Sequence, residues 1–575
     1  MNIEHPWWQK AVFYQIYPRS FADSNADGIG DLNGIRQKID YLSWLGIDAV
    51  WLSPHFPSPM RDCGYDIADY RAVAPEYGTL NEFKLMLAEL HAHGIRLVID
   101  LVLNHTSDQH PWFLESRSSV DNPKRDWYIW AKGDNGDPPN NRNSTFGGPA
   151  WTLDKVTGEY YYHFFFREQP DLNWRNPEVK QAMFDEARFW LDMGVDGFRL
   201  DAIGTIFENH PLANVPLGLN LENILALRAK AVTKADHQKI DELYEQLFDG
   251  MHDLPEVHDL MKEFKMVVAE YPDRVLIGET DGVAFYGKGQ DELDLNFNFP
   301  LMRTRRIDAA HVLDNQEKRH ALLPLNAWPC NTLGNHDAAR MLSEYGDGKD
   351  DAEIAKANLA LVLSLWGTPF LYNGEEIGMP NSLIEDAGMW RDPLAHFIMT
   401  TQMKYSGKSE KEAIYLASLA ARDKSRTPMH WANTENGGFS PPDVAPWLPV
   451  DPSWRSGVNV EEQMKSPDSL LSYYRRALNA RKLSPALQVG SYRAVSTVKD
   501  PVLVFQRNTD AELVLVLINF NSENQPVVLN LGEDRFMPIF SGVARNEIVL
   551  PNTLNLQPFE VIWAKRVETE FTSLR

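Results

Sequence analysis

Cysteine is nearly missing from this chain. Of its 575 residues only Cys63 and Cys330 carry a thiol, enough for at most one disulfide and for no zinc-type cluster. Basic residues are outnumbered, 56 Lys and Arg against 80 Asp and Glu, giving a formal net charge of −24. Nucleic acids and anionic membranes call for basic patches, so neither is an expected partner. Long apolar runs are lacking too. The best, Leu359 to Tyr372, is too short to span a bilayer and is broken by Gly367 and Pro369. The N-terminal stretch shows no basic segment, apolar run and cleavage site in succession, so no signal peptide is visible and a cytoplasmic protein is expected. There is no G-x-S-x-G elbow, and the Gly-rich D-G-I-G-D at 27–31 lacks the lysine of a phosphate loop. Internal repeats and low-complexity segments are absent as well.

What is present has the make-up of a globular protein, 43% hydrophobic and 24% charged. The length calls for a large domain with smaller ones attached. Short β-branched and aromatic runs alternate with amphipathic helical patterns over most of the chain. The strand candidates are Ala11 to Pro18, Ala49 to Pro54, Arg96 to His105, Gly197 to Ala202, Val275 to Thr280, Leu295 to Phe299, Asn331 to Asp337 and Thr368 to Gly374. Between the first two, Leu32, Ile35, Ile39, Leu42 and Leu45 recur at helical spacing, and Gly46 is a natural stop. Such alternation implies parallel strands, and eight of them imply an α/β fold of the (β/α)8 TIM barrel type, with a doubly wound open sheet as the alternative.

Two stretches break the rhythm. Residues 106–173, rich in aromatics, Pro, Gly and Asn, are too long for an ordinary loop and suggest an inserted lobe. From 490 to 575 the pattern changes to alternating strands without helices, as in PVLVFQRN and ELVLVLINF, which suggests an antiparallel C-terminal β domain, a sandwich. The barrel would then occupy 1–105 and 174–489.

In a parallel barrel, chemistry collects at the C-terminal strand ends. Asp100, Asn104 and His105 end the third candidate strand, Arg199 and Asp201 the fourth, Glu279 the fifth, and His336 with Asp337 the seventh. A single Asp there is more often a helix cap or an ion-pair partner. Several converging ends of this kind, without metal spacing or a nucleophilic serine, favour a carboxylate mechanism. Glycoside hydrolysis needs such a pair, one carboxylate to attack and one acid to protonate the leaving oxygen.

The blocks IDLVLNHTS (99–107), GFRLDA (197–202), IGET (277–280) and LGNHD (333–337) resemble the four signature regions of glycoside hydrolase family 13, the α-amylase family. QPDLN (169–173) resembles the fifth region of its oligo-1,6-glucosidase and α-glucosidase branch, and the likeness runs nearly the whole chain, through WWQKAVFYQIYPRSF, GYDIADY, TPFLYNGEEIGM and RTPMHW. The resemblance implies Asp201 as nucleophile, Glu279 as acid/base with a raised pKa, and Asp337 as the third carboxylate. Arg199 would hold Asp201 ionised. His105 and His336 would bind sugar hydroxyls, or else be core histidines satisfied by backbone. Asp62 and Tyr65 would close a pocket for one terminal glucose, with Phe165 on the aromatic wall and Arg422, or alternatively Arg426, pairing with Asp62. No cofactor is implied for the chemistry.

Asp23, Asn25, Asp27 and Asp31 place oxygen ligands along one loop with Gly28 at the turn. An EF-hand fails, because its twelfth position would be Gly34. Related α-glucosidases use such a loop, with the carbonyl of Ile29, for a structural Ca2+ or Mg2+; a capped Asx-turn leading into the helix at Leu32 is the alternative.

The resemblance thus implies a retaining, exo-acting α-glucosidase working on short oligosaccharides or disaccharides such as maltose, with transglucosylation. Intramolecular transfer, as in trehalose synthase or a sucrose isomerase, is the alternative. Ala202 follows the nucleophile where Val tends to accompany α-1,6 and Thr α-1,4 preference, so linkage stays open. Arg142 and the segment 204–218 also depart from the branch's usual patterns, on the acceptor side, and the R-L-D-R-D motif associated with sucrose isomerases is absent, the comparable stretch being RTRRIDAA (303–310). A non-catalytic scaffold, like the related heavy chains of amino-acid transporters, would carry a membrane helix and lack these carboxylates. Oligomeric state is not legible.

Overall fold

The strand-forming runs become the staves of one ring. In the computed structural model, which describes residues 5–545 and 547–567, eight short strands pair in parallel. They are β1 (Phe13–Ile16), β2 (Ala49–Leu52), β3 (Arg96–Val102), β4 (Gly197–Asp201), β5 (Val275–Gly278), β6 (Leu295–Asn296), β7 (Cys330–Asn331) and β8 (Thr368–Tyr372). Their order is β7-β8-β1-β2-β3-β4-β5-β6, and a parallel bridge between Phe297 and Cys330 brings the two edges together. The fold is the expected (β/α)8 barrel. Each strand is shorter than the run that marks it, because the last residues of the run turn out into the loop above.

Strands buried on both faces need apolar residues on both. Phe13, Trp51, Val98, Ile277, Phe297 and Phe370 plug the inside, with the rings of Phe13 and Phe370 stacked at 4.5 Å. Their neighbours Tyr14, Val50, Leu97, Phe198, Leu276 and Leu371 face the helices. The helix Leu80–Ala92 opens with a Thr79/Glu82 capping box and buries Phe83, Met86, Leu87 and Leu90. Ile39–Leu45 and Pro177–Met193 end in left-handed glycines, Gly46 at φ +99° and Gly194 at φ +107°. The helix expected across Leu32 to Leu45 is broken at Gln37 and Lys38, yet all five apolar positions remain buried.

Between β3 and Pro177–Met193 lies a small antiparallel sheet of Trp130–Ala131, Tyr160–Tyr162 and Trp151–Leu153. Two helices that the sequence did not announce, Leu221–Arg228 and Lys234–Phe248, follow β4. Their Leu221, Ile224, Ile240, Leu247 and Phe248 share one apolar cluster with Ile129, Trp151, Tyr160 and Phe164 of the inserted segment. The chain thus adds to the roof of the barrel twice.

From Ser491 on, five antiparallel strands form one sheet, in the order Ser491–Ala494, Val502–Asn508, Leu513–Asn519, Val561–Val567, Arg535–Ser541, and a separate pair, Gln525–Val528 with Thr553–Leu556, packs on it. Arg507 reaches from this sheet to the barrel, donating to the carbonyls of Ser364 and Leu365 at 2.6 Å, where a helix end leaves acceptors free. Both cysteines are buried and unpaired. No helix among the described residues is long and apolar enough to cross a membrane.

Candidate active site

Strand register sets the floor. Asp100 on β3 pairs with Arg199 on β4, and Val102 with Asp201. Arg199 and Asp201, two residues apart, point to the same side. The buried Arg199 guanidinium meets three carboxylates: Nη1 lies 2.7 Å from Asp100 Oδ1 and 2.7 Å from Asp201 Oδ1, and Nη2 lies 2.9 Å from Glu279 Oε2. Trp51 supports the set, its indole N–H donating to Asp100 at 2.9 Å and its ring lying 5.1 Å from the guanidinium. Ala202 turns the chain out of β4 in a left-handed conformation, φ +44°, and its N–H donates to Glu279 at 3.0 Å.

These contacts decide the charge. Burial and then the neighbouring Glu279 push Asp201 well above the usual carboxylate range, and Arg199 opposes them. Arg199 is therefore one of several influences on Asp201, where the sequence pointed to it alone. Burial also pushes Asp100 up, to about 6, against Arg199.

Asp337 shows the opposite balance. Burial would raise it, but neighbouring positive charge brings it well below the ordinary range. Arg426 is in direct contact with its Oδ1, and Arg422 lies 3.6 Å from the same oxygen. His336 Nε2 is 3.2 Å from the other oxygen. Burial holds that imidazole down at about 3, and at the lower pH where Asp337 itself takes up a proton His336 joins Arg426 and Arg422 as a positive neighbour. His105 is likewise lowered by burial, to about 4.

A chain of contacts then shuts one end. Tyr65 Oη lies 2.5 Å from His336 Nε2, the two rings nearly parallel at 5.5 Å. The Gln169 amide reaches His105 Nε2 at 2.8 Å and donates to Asp62 at 3.0 Å. Asp62 accepts from Arg422 at 2.7 Å, and Asp392 grips Arg422 with both oxygens, at 3.0 and 2.8 Å. Arg422 thus meets Asp62, while Arg426 serves Asp337.

A cavity of about 540 Å³ opens above this floor, lined by Asp62, Tyr65, His105, Phe165, Asp201, Glu279, Asp337 and Arg422 among others. Arg199 and His336 are buried beneath those lining groups. Phe165 stands edge-on to His105 at 5.3 Å, and Phe164 of the same aromatic run also faces the cavity. A second stretch of wall, Tyr244, Phe248, His252 and Asp253, comes from the unannounced helix after β4 and the loop behind it.

The loop at 23–31 lies elsewhere. Asp23 accepts from the N–H groups of Ala26 and Gly28 at 2.7 and 2.9 Å, Asp27 from Ile29 at 2.8 Å, and Asn25 from Asp27 at 3.0 Å. Asp31 caps the helix at Leu32 through Gly34 at 2.7 Å. Among the described residues no three His, Cys, Asp or Glu side chains gather as a metal-holding group. The side chains of the loop make a capped turn.

The family model for the α-amylase catalytic domain matches residues 15–490. The chain belongs to the α-amylase family. An oligo-1,6-glucosidase of Parageobacillus thermoglucosidasius is 39% identical over 542 residues, 91% of this chain and 92% of that protein. A probable α-glucosidase of Rhizobium meliloti (strain 1021) is 39% identical over 533 residues, 91% of each. The crystal structure of the trehalulose synthase from Pseudomonas mesoacidophila MX-45 superposes with a TM-score of 0.87 at 35% identity, covering 98% of this chain and 100% of that one. Within the α-amylase family this enzyme falls in the oligo-1,6-glucosidase and α-glucosidase branch, as a glycoside hydrolase of the α-glucosidase type.

Some groups of this α-amylase-family site had no assigned role in the sequence. Asp100 and Gln169 sit inside recognised blocks, so a signal existed. Asp392, in WRDP, lies outside every recognised block; it also caps a helix, accepting from Leu394 N–H at 3.1 Å. The wall from Tyr244 to Asp253 had no motif at all.

Proposed function

We propose that this hydrolase is a retaining, exo-acting α-glucosidase, releasing glucose from the non-reducing ends of short substrates such as maltose and passing some glucosyl groups to other acceptors. One observation carries the proposal: a single guanidinium, Arg199, holds Asp201 and Glu279 at 2.7 and 2.9 Å beside a cavity closed by the Asp62–Arg422–Asp392 chain. A retaining mechanism needs two carboxyl groups close together, roughly 5 Å apart, and one proton between them. In this reading an Asp201 oxygen attacks the anomeric carbon while Glu279 gives its proton to the departing oxygen. A β-glucosyl ester forms on Asp201 and the glycosidic bond breaks. Glu279, now ionised, takes a proton from water or an acceptor hydroxyl, whose oxygen returns to the anomeric carbon and frees Asp201. Asp337, kept anionic by its arginines, would accept hydrogen bonds from sugar hydroxyls, and Tyr65 and Phe165 would face the ring. The barrel at 1–105 and 174–489 would carry the chemistry, 106–173 the roof and 490–575 a supporting sandwich.

Asp201→Asn is expected to abolish turnover. Glu279→Gln is expected to react in the first step only with donors whose leaving group needs no proton, leaving a trappable glucosyl-enzyme. Wild-type-like activity in Asp201→Asn sinks the nucleophile assignment. A second reading, intramolecular glucosyl transfer, draws on the likeness to the trehalulose synthase. Products from maltose, isomaltose, sucrose and trehalose separate the two: mostly trehalose or isomerised sucrose, with little glucose, overturns the hydrolase. The same profile reads the preferred linkage.

The proposal extends to a structural Ca2+ or Mg2+ on Asp23, Asn25, Asp27, the Ile29 carbonyl and Asp31. A carboxylate offers about four acceptor sites, so the turn bonds leave room for an ion. Chelation should lower the melting temperature by several degrees (about 1 kcal/mol or more). An unchanged transition leaves the loop a capped turn.

A further inference from the structure

Arg142 comes from the inserted segment but spends its hydrogen bonds elsewhere. It is 5% exposed. Its Nε donates to the Ala213 carbonyl at 2.7 Å, and its Nη1 donates to the carbonyls of Asp249 at 2.5 Å and Leu247 at 3.5 Å. Those last two belong to the end of the helix Lys234–Phe248, whose cap residue Asp249 leaves the helical path at ψ 130° and returns no N–H to the final carbonyls. A cation there satisfies free acceptors and the negative end of the helix dipole together. The two residues before it tie down the facing loop. Asn140 donates to the Leu212 carbonyl at 3.1 Å, and Asn141 exchanges hydrogen bonds with Val215 at 2.9 and 2.7 Å.

The helix fixed in this way carries Tyr244 and Phe248, and the loop just beyond it carries His252 and Asp253, all four lining the catalytic cavity. That loop is clasped to the turn behind Asp201. Asp253 N–H donates to the Gly204 carbonyl at 2.7 Å, and a Cβ on Gly204 would stand 2.6 Å from Asp253 Oδ1. His252 in turn lies 2.9 Å from Asp253 Oδ2.

We infer that Arg142 is a positioning residue for the leaving-group side of the cavity, holding Tyr244, Phe248, His252 and Asp253 as the wall that receives a sugar or polyol acceptor. The inference rests on the α-glucosidase reading, which assigns the Asp62, Tyr65 and Asp337 groups to the glucosyl unit and leaves this wall to whatever departs or attacks. Its chemistry fits such a partner: aromatic faces for the apolar side of a ring, and an imidazole–carboxylate pair for hydroxyls.

The test compares two donors in Arg142→Met, Arg142→Lys and His252→Ala. Maltose has a sugar leaving group; α-glucosyl fluoride has none. Arg142→Met should raise KM for maltose about tenfold with kcat within about twofold, and leave kcat/KM for the fluoride within about twofold. Transfer to added glucose should fall relative to hydrolysis. Arg142→Lys, which keeps a cation at the helix end, should recover part of the loss. His252→Ala, a half-exposed site with no carbonyls to hold, should show the same split if Arg142→Met does not fold. Parallel loss on both donors, or unchanged maltose kinetics in His252→Ala, overturns the inference. A wild-type enzyme inactive on both donors overturns the glucosidase reading with it.

Discussion

At the scale of single residues, the site works by giving like groups unlike surroundings. Asp62, Asp337 and Asp392 all lie near Arg422, but they use it differently. Asp392 takes two of its N–H groups and the backbone N–H as well, the last at 2.9 Å. The guanidinium is thereby held in one orientation. Asp392→Asn loses the charge while keeping the shape, and is expected to raise KM for maltose roughly tenfold with little change in folding. Steady-state kinetics beside a melting curve checks this; an unchanged KM means Arg422 is aimed by other contacts. Arg422 could be picked out from its motif, though not told from Arg426. Asp392 could not, because only the folded chain brings it across 30 residues to its partner.

Glu375 poses a different residue-level question. It is buried behind the His336 loop, one oxygen accepting from Tyr372 N–H at 3.2 Å and the other without a partner. A Cβ on Gly334 would lie 2.3 Å from that orphan oxygen. Burial pushes the carboxyl up to about 8. Below an unfolded pKa of about 4.5 both states keep the proton, and above about 8 both lose it; between the two only the folded protein holds it, so stability falls as pH rises. Glu375→Gln should flatten that fall. Denaturant titrations at several pH values between about 5 and 8 would read the difference, at most about 1.4 kcal/mol per pH unit. Identical slopes in both proteins would show that Glu375 does not titrate there.

At the scale of elements, strand β4 has the tightest tolerance. Gly197 opens it at φ +153°, and a Cβ there would stand 2.1 Å from the Val275 carbonyl of β5. Gly197→Ala must therefore push β4 and β5 apart just below Arg199, at a cost of about 3 kcal/mol or more. Loss of soluble protein or a large drop in melting temperature is expected; a normal transition would show that the strands can shift. The eight strands and the helices behind them were readable because periodicity and glycine stops report local structure. The helices after β4 were not. Ile240 and Leu247 are spaced as on any amphipathic helix, and nothing local says whether such a face packs on the barrel or on the roof. The structure settles this with a shared cluster on Phe164 and Trp151. The groups at the strand ends were easier to read than the roof because motif blocks mark strand ends, whereas the second wall of the cavity is assembled from segments far apart in the chain.

At the scale of the whole molecule, the ring is uneven. β3 and β4 are paired along five residues, whereas β6 and β7 are two residues each and meet through the single bridge from Phe297 to Cys330. Apolar packing of Phe297 against Trp51 and Phe370 inside the ring supports the closure, and the Asn298 side-chain amide donates to Asn331 across it at 3.2 Å. Backbone amides at residues 295–298 and 330–331 should therefore exchange with deuterium well before those of β3 and β4. Equal protection all round the barrel would contradict this. The barrel is thus a curved sheet fastened along one thin seam, and the strands that carry Asp100, Arg199 and Asp201 lie in its most fully paired part, away from that seam.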